Sequence, residues 1–149
     1  MSSFNDHIER VKKLDQSTVT QALFDFVRSI ESELVELNRK QLNEKSKDVY
    51  GDAIGFYSYA TEVITKGRKK EGEPFDAKDT GSLLDKMYAR IEKEMIVFGS
   101  TDNKVELIMD SENWLSKDLF GLTDDDLRMV IETRIRPFII DYNRKMLGL

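Results

Sequence analysis

Leu83-Leu84-Asp85-Lys86-Met87-Tyr88-Ala89-Arg90-Ile91-Glu92-Lys93-Glu94-Met95-Ile96-Val97-Phe98-Gly99-Ser100 decides the fold. Leu83, Met87, Ala89 and Ile91 alternate with Lys86, Tyr88, Arg90 and Glu92. A period of two is that of a half-buried strand, and Asp85 interrupts its apolar face. Glu92-Lys93-Glu94 makes a polar turn, and the β-branched and aromatic run Met95-Ile96-Val97-Phe98 forms an antiparallel return strand that ends at Gly99-Ser100.

Upstream of this hairpin stands Asp79-Thr80-Gly81. The triplet has two chemical readings. It is ordinary turn chemistry, with Gly81 free to take a positive φ. It is also the catalytic turn of an aspartic protease, which at 149 residues requires a homodimer so that two Asp79 carboxylates share one proton. In such enzymes an apolar strand runs into the aspartate, whereas Pro74-Phe75-Asp76-Ala77-Lys78 precedes it here.

Working outward, Val19, Leu23, Val27, Ile30, Leu34 and Leu37 recur at spacings of four and three. They predict one long amphipathic helix from Gln16 to about Glu44, with Ser17 as its start signal. His7, Ile8, Val11 and Leu14 follow the same spacing and predict a shorter helix before it. Tyr57, Ala60, Thr61 and Ile64 indicate another short helix. It is followed by Lys66-Gly67-Arg68-Lys69-Lys70-Glu71-Gly72-Glu73-Pro74, a charged loop bracketed by glycines and expected to be exposed and mobile. Residues 101–109 return to helix. Trp114 and Phe120 follow as aromatic candidates for core anchors or interface contacts.

Thr123 is placed to cap the last helix, with Asp124, Asp125 and Asp126 in its first turn, where the helix dipole favours negative charge. The expected buried face of that helix is Leu127, Val130, Ile131, Ile135, Phe138, Tyr142 and Met146. Pro137 lacks an N–H and predicts a kink or break near Ile135-Arg136. The fold class is therefore α+β: a long N-terminal amphipathic helix, a central antiparallel β-hairpin or small sheet, and a C-terminal kinked helix. One domain over 1–149 is expected, with a helical arm at 1–45 and an α+β core at 46–149 that carries the exposed loop 66–74.

Composition narrows the chemistry. Twenty-eight acidic against 23 basic residues give a net charge of −5, which disfavours electrostatic wrapping of nucleic acid. Without cysteine there is no thiolate nucleophile or cysteine zinc site. His7 is the only histidine, so a histidine triad or zinc site lacks partners. The three consecutive aspartates diverge around a helix and cannot converge on a metal. No apolar run reaches the roughly 20 residues of a membrane span. No catalytic residue, cofactor or metal is expected. Lys66, Arg68, Lys69 and Lys70 form a dense positive segment suited to phosphates or to the acidic face of a partner, or else a solvated loop.

Asp79-Thr80-Gly81-Ser82-Leu83, a strand, then Ile96-Val97-Phe98-Gly99-Ser100 resembles the core of phage virion-morphogenesis and tail-completion proteins. Leu119-Phe120-Gly121-Leu122-Thr123-Asp124-Asp125-Asp126 is similar to a segment near the end of the same group, and Gly72-Glu73-Pro74-Phe75-Asp76 looks like another of its motifs. The likeness covers about the second half of the chain. Lys86-Met87 departs from it, and a tyrosine-histidine-glycine segment usual after the second strand is missing. The resemblance implies a non-enzymatic bacteriophage structural protein of the neck or tail, acting in tail completion or head–tail joining. Its partners would be copies of itself in a ring and other neck and tail proteins, with DNA near the lumen but no sequence-specific nucleic-acid binding and no membrane. The implied location is the virion, after synthesis in the host cytoplasm. Lys66, Arg68, Lys69, Lys70, Trp114 and Phe120 become its expected interface, and Asp79, Thr80 and Gly81 its structural turn. The alternatives are a homodimeric aspartic protease using Asp79 and a small cytoplasmic adaptor or regulatory protein.

Overall fold

Asp15, not Ser17, starts the first substantial helix: its carboxylate accepts from the Thr18 N–H at 2.7 Å, satisfying one of the donors that every helix N-terminus leaves open. The computed structural model describes residues 3–110 and 115–149. Its elements in order are α1 (Phe4–Lys12), α2 (Gln16–Ser29), α3 (Glu31–Asn43), α4 (Tyr59–Ile64), α5 (Ser82–Asp85), β1 (Met87–Glu92), β2 (Met95–Ser100), α6 (Lys104–Met109) and α7 (Asp124–Val130). A π-helical turn (Ile131–Ile135) then leads into α8 (Arg136–Leu147). The fold is α+β, and among the described residues the two strands form one antiparallel sheet.

The predicted 16–44 helix is two helices. Ile30 leaves the helical region at φ −110°, ψ 12°, its N–H turning to Val27 O at 3.1 Å while the Ser29 hydroxyl occupies Phe26 O at 2.5 Å. Closing the last turn on i−3 carbonyls ends α2, and α3 restarts at the next residue. The break coincides with a division of the chain into two compact units. One is Met1–Ile30 with Asp126–Leu149, and the other is Glu31–Asp125. The helical arm expected at 1–45 therefore stops at Ile30, and α3 belongs with the sheet.

In the first unit α1 and α2 pack on α8. Ser3 and Asp6 form a reciprocal capping box at the start of α1, and the Arg10 guanidinium reaches Leu147 O at 3.3 Å. Phe26 of α2 stacks flat on Phe138 of α8, centroids 4.3 Å apart. Where Pro137 predicts a kink or break near Ile135-Arg136, the chain stays helical and widens into the π turn. Pro137 has no N–H for the Thr133 carbonyl, and the widened turn precedes it, with the Thr133 hydroxyl bonded to Met129 O at 2.7 Å. One extra residue rotates the downstream face by roughly 100°. Of the predicted apolar face only Val130 is buried, and Leu127 and Ile131 each stay 43% exposed.

The second unit holds the sheet. β1 and β2 pair from Met87↔Ser100 to Glu92↔Met95 around a Lys93-Glu94 turn, with Lys93 at φ 56°. Met87 and Ala89 are buried while Arg90 and Glu92 are exposed, as the alternation predicts. The strand does not extend back to Leu83. Ser82–Asp85 is one helical turn, entered from Gly81 at φ 91°, which turns both Leu83 and Leu84 into the core. α3 packs on β1, and Leu42 and Leu119 are completely buried, each contributing about 1.5–3 kcal/mol by leaving water.

Candidate functional site

A cleft of about 510 Å³ opens in the second unit between α4 and α6. Its apolar lining comes from Ile64 on α4, Leu107 and Ile108 on α6, and Phe75, Leu83 and Leu115. Arg68, Lys69, Lys78 and Lys104 supply the cations of its wall, and Asp79 is the one acidic residue among the described lining residues. The volume is within the usual range of binding clefts. Ile64 and Leu107 stand proud at 80% and 72% exposure.

Three carboxylates organise one side of the cleft. Asp76 accepts the Tyr57 hydroxyl at 2.6 Å, the Lys69 ammonium at 2.6 Å and the Lys78 N–H at 2.9 Å. Burial alone would raise the Asp76 carboxyl, but these bonds outweigh it and hold it below the usual carboxylate range. Burial, and then the bond to Asp76, push the Tyr57 hydroxyl up. The backbone around this group is doubly tied: Tyr57 N–H donates to Glu73 O and Gly72 N–H to Tyr57 O, both at 2.9 Å, and Phe75 N–H donates to Gly55 O at 2.8 Å.

Asp79, 56% exposed at its side chain, meets Lys104 at 2.9 Å and Arg68 at 3.9 Å. The Lys104 bond and its charge hold the Asp79 carboxyl below the usual range. Asp102 lies behind the turn, taking the Ser82 hydroxyl, the Lys104 N–H at 2.9 Å and the Lys86 ammonium at 3.2 Å. Its carboxyl is lowered to about 2, chiefly by the Ser82 bond. The Asp79-Thr80-Gly81 turn is thus braced from both ends by α6 and its approach.

The predicted interface cations separate. Lys66 and Lys70 are exposed, and Arg68 leans on Asp79. Lys69 does not belong with the exposed set: its side chain, 17% exposed, turns inward to Asp76 and lies over the Tyr57 ring at 5.3 Å. A carboxylate seven residues downstream captures it. Phe120 is half-buried, and Trp114 lies outside the described residues. Asp124 and Asp125 are exposed on α7, and among the described residues no group of acidic or histidine side chains could hold a metal.

Asn38 and Gln41 were not singled out from sequence, yet they pin the Leu119–Thr123 segment. Asn38 Nδ2 donates to Leu119 O at 2.9 Å and Asn38 Oδ1 accepts from Gly121 N–H at 3.2 Å. Gln41 Oε1 accepts from Thr123 N–H at 3.2 Å. Both amides are fully buried, and Gln41 Nε2 has no partner. The available signal was their three-residue spacing, which puts both on the same helix face as Leu34 and Leu42.

No helix among the described residues is long and apolar enough to cross a membrane. No protein-family model, curated protein or solved structure matches the chain.

Proposed function

We propose that this protein is a non-enzymatic structural subunit of a tailed-phage neck or tail, made in the host cytoplasm and carried into the virion by docking to copies of itself and to neighbouring neck and tail proteins. The observation that carries the non-catalytic part is the state of Asp79. A proton-sharing aspartate needs a like charge beside it to lift its pKa, whereas Asp79 is neutralised by Lys104 and Arg68. It also precedes a helical turn, not the end of a strand.

The motifs behind the resemblance hold the fold. Ser82 closes on Asp102, Ser100 Oγ donates to Leu83 O at 2.8 Å, and the Leu119–Thr123 segment hangs from α3. With the turn residues engaged in bracing, an apolar cleft with a cationic wall is left as the feature open to a partner, which favours docking. Mass spectrometry of purified phage particles tests the reading. The chain should co-purify in fixed stoichiometry with neck or tail proteins, and its absence from intact particles would overturn the virion assignment.

A further inference from the structure

The cleft between α4 and α6 has exposed apolar lips over a buried apolar floor. Ile64 and Leu107 at its lips are far more exposed than the Ile108 and Leu83 of its floor, which is the profile of a groove completed by a partner's apolar ridge. Around that apolar surface the described lining residues carry four cations against one carboxylate, in a chain whose net charge is −5. Setting aside Lys69, which Asp76 engages, Arg68, Lys78 and Lys104 still outweigh Asp79. The occupant should therefore be helical and apolar on one face, with acid at one end of that face.

The same chain offers such a ridge. On α7 and the turn that follows, Asp124, Leu127 and Ile131 stand at spacings of three and four, on one helical face. Leu127 and Ile131 are each 43% exposed, and the exposed Asp125 lies beside Asp124. We infer that the α4–α6 groove of one copy receives α7 of a second copy, Leu127 and Ile131 entering between Ile64 and Leu107 while Asp124 and Asp125 face Arg68 and Lys78. This rests on the docking reading above and names its partner. Groove and ridge are different surfaces, so the contact is heterologous: it leaves an unused groove on one copy and an unused ridge on the other, and propagates into a ring or a filament.

The test is sedimentation equilibrium of the full chain and two variants, Leu107→Asp in the groove and Leu127→Asp on the ridge. The wild type should show a mass that rises with concentration beyond a dimer and falls with added salt. Each variant alone should lose about tenfold or more in association constant, Leu107→Asp with an unchanged melting temperature because its side chain is exposed. Mixed together, each variant retains one intact surface, and the pair should form a 1:1 dimer that grows no further. The charge variant Asp124→Lys/Asp125→Lys replaces Leu127→Asp if the latter unfolds, and should be rescued by Arg68→Glu/Lys78→Glu. A wild type that stays monomeric, variants that associate like the wild type, or a mixture that stays monomeric would overturn the contact. So would a monomeric chain that captures an acidic amphipathic helix of another protein. A chain found in particles but monomeric in solution defeats this contact and leaves the virion reading standing. A chain that associates through the groove but is absent from particles does the reverse.

Discussion

Lys104 places its ammonium 2.9 Å from the Asp79 carboxylate while its own N–H donates to Asp102 at 2.9 Å, so one residue at the start of α6 braces the Asp79-Thr80-Gly81 turn through its side chain and its backbone. The Asp79 pair is exposed, and exposed pairs contribute about 0–1 kcal/mol. Asp79→Asn should therefore shift stability by no more than about 1 kcal/mol, as read from urea unfolding midpoints at neutral pH.

Asp102 behaves differently because its partners enclose it. Its carboxyl titrates near 2 in the fold against 3.8 in a free aspartate. Protons then bind the unfolded chain more readily, so the stabilisation is complete above about pH 4 and drains away as pH falls from there through 2. Asp76 and Asp79, also lowered, contribute in the same direction. Thermal melts between pH 2 and 5 should show Asp102→Asn with a flatter acid dependence than the wild type; parallel curves would contradict the assignment.

Asn38 and Gln41 share one face of α3 but should respond unequally. Asn38→Ala strands the buried Leu119 carbonyl and Gly121 N–H, and should cost about 2–4 kcal/mol. Gln41→Met loses one bond to Thr123 but also removes an amide nitrogen that has no partner, and should cost no more than about 1 kcal/mol. Chemical denaturation of the two variants measures the difference.

Charge reversal separates the lysine loop. Lys69→Glu sets a carboxylate against Asp76 in a site where both side chains are largely covered, and should destabilise the fold by about 1–3 kcal/mol. Lys70→Glu changes an exposed position and should leave the melting temperature within error. Equal effects would contradict the inward placement of Lys69.

Gly99 lies opposite Tyr88 in the hairpin register, and a Cβ there would meet the Tyr88 hydroxyl oxygen at 2.6 Å. Gly99→Ala should cost about 1–2 kcal/mol, and a double-mutant cycle should show that cost disappearing in a Tyr88→Val background.

The hairpin was legible because Met87 and Ala89 obey a strand period whatever packs on them. The break at Ile30 was not, because Val27, Ile30 and Leu34 keep helical spacing straight through it, and the competing bonds of Ser29 and Ile30 are local geometry that spacing does not encode. Leu83 satisfied the strand alternation equally well inside a helical turn. The cation-rich loop was legible as composition, but the inward turn of Lys69 depends on Asp76 and Tyr57, which only folding brings beside it. For the same reason the cleft was invisible: its walls come from separate stretches, none of which looks like a site alone. Pro137 did announce an irregular helix, although the form of the irregularity follows from how the backbone re-satisfies its carbonyls.

The most direct test of the account is particle assembly in a host infected with phage lacking this gene product and supplied with it in trans. The account predicts that Asp79→Asn restores the particle yield of the wild-type chain, because Asp79 braces a turn and transfers no proton. A yield as low as that with no chain supplied, from an Asp79→Asn protein that folds normally, would contradict it and return the aspartate to a catalytic role.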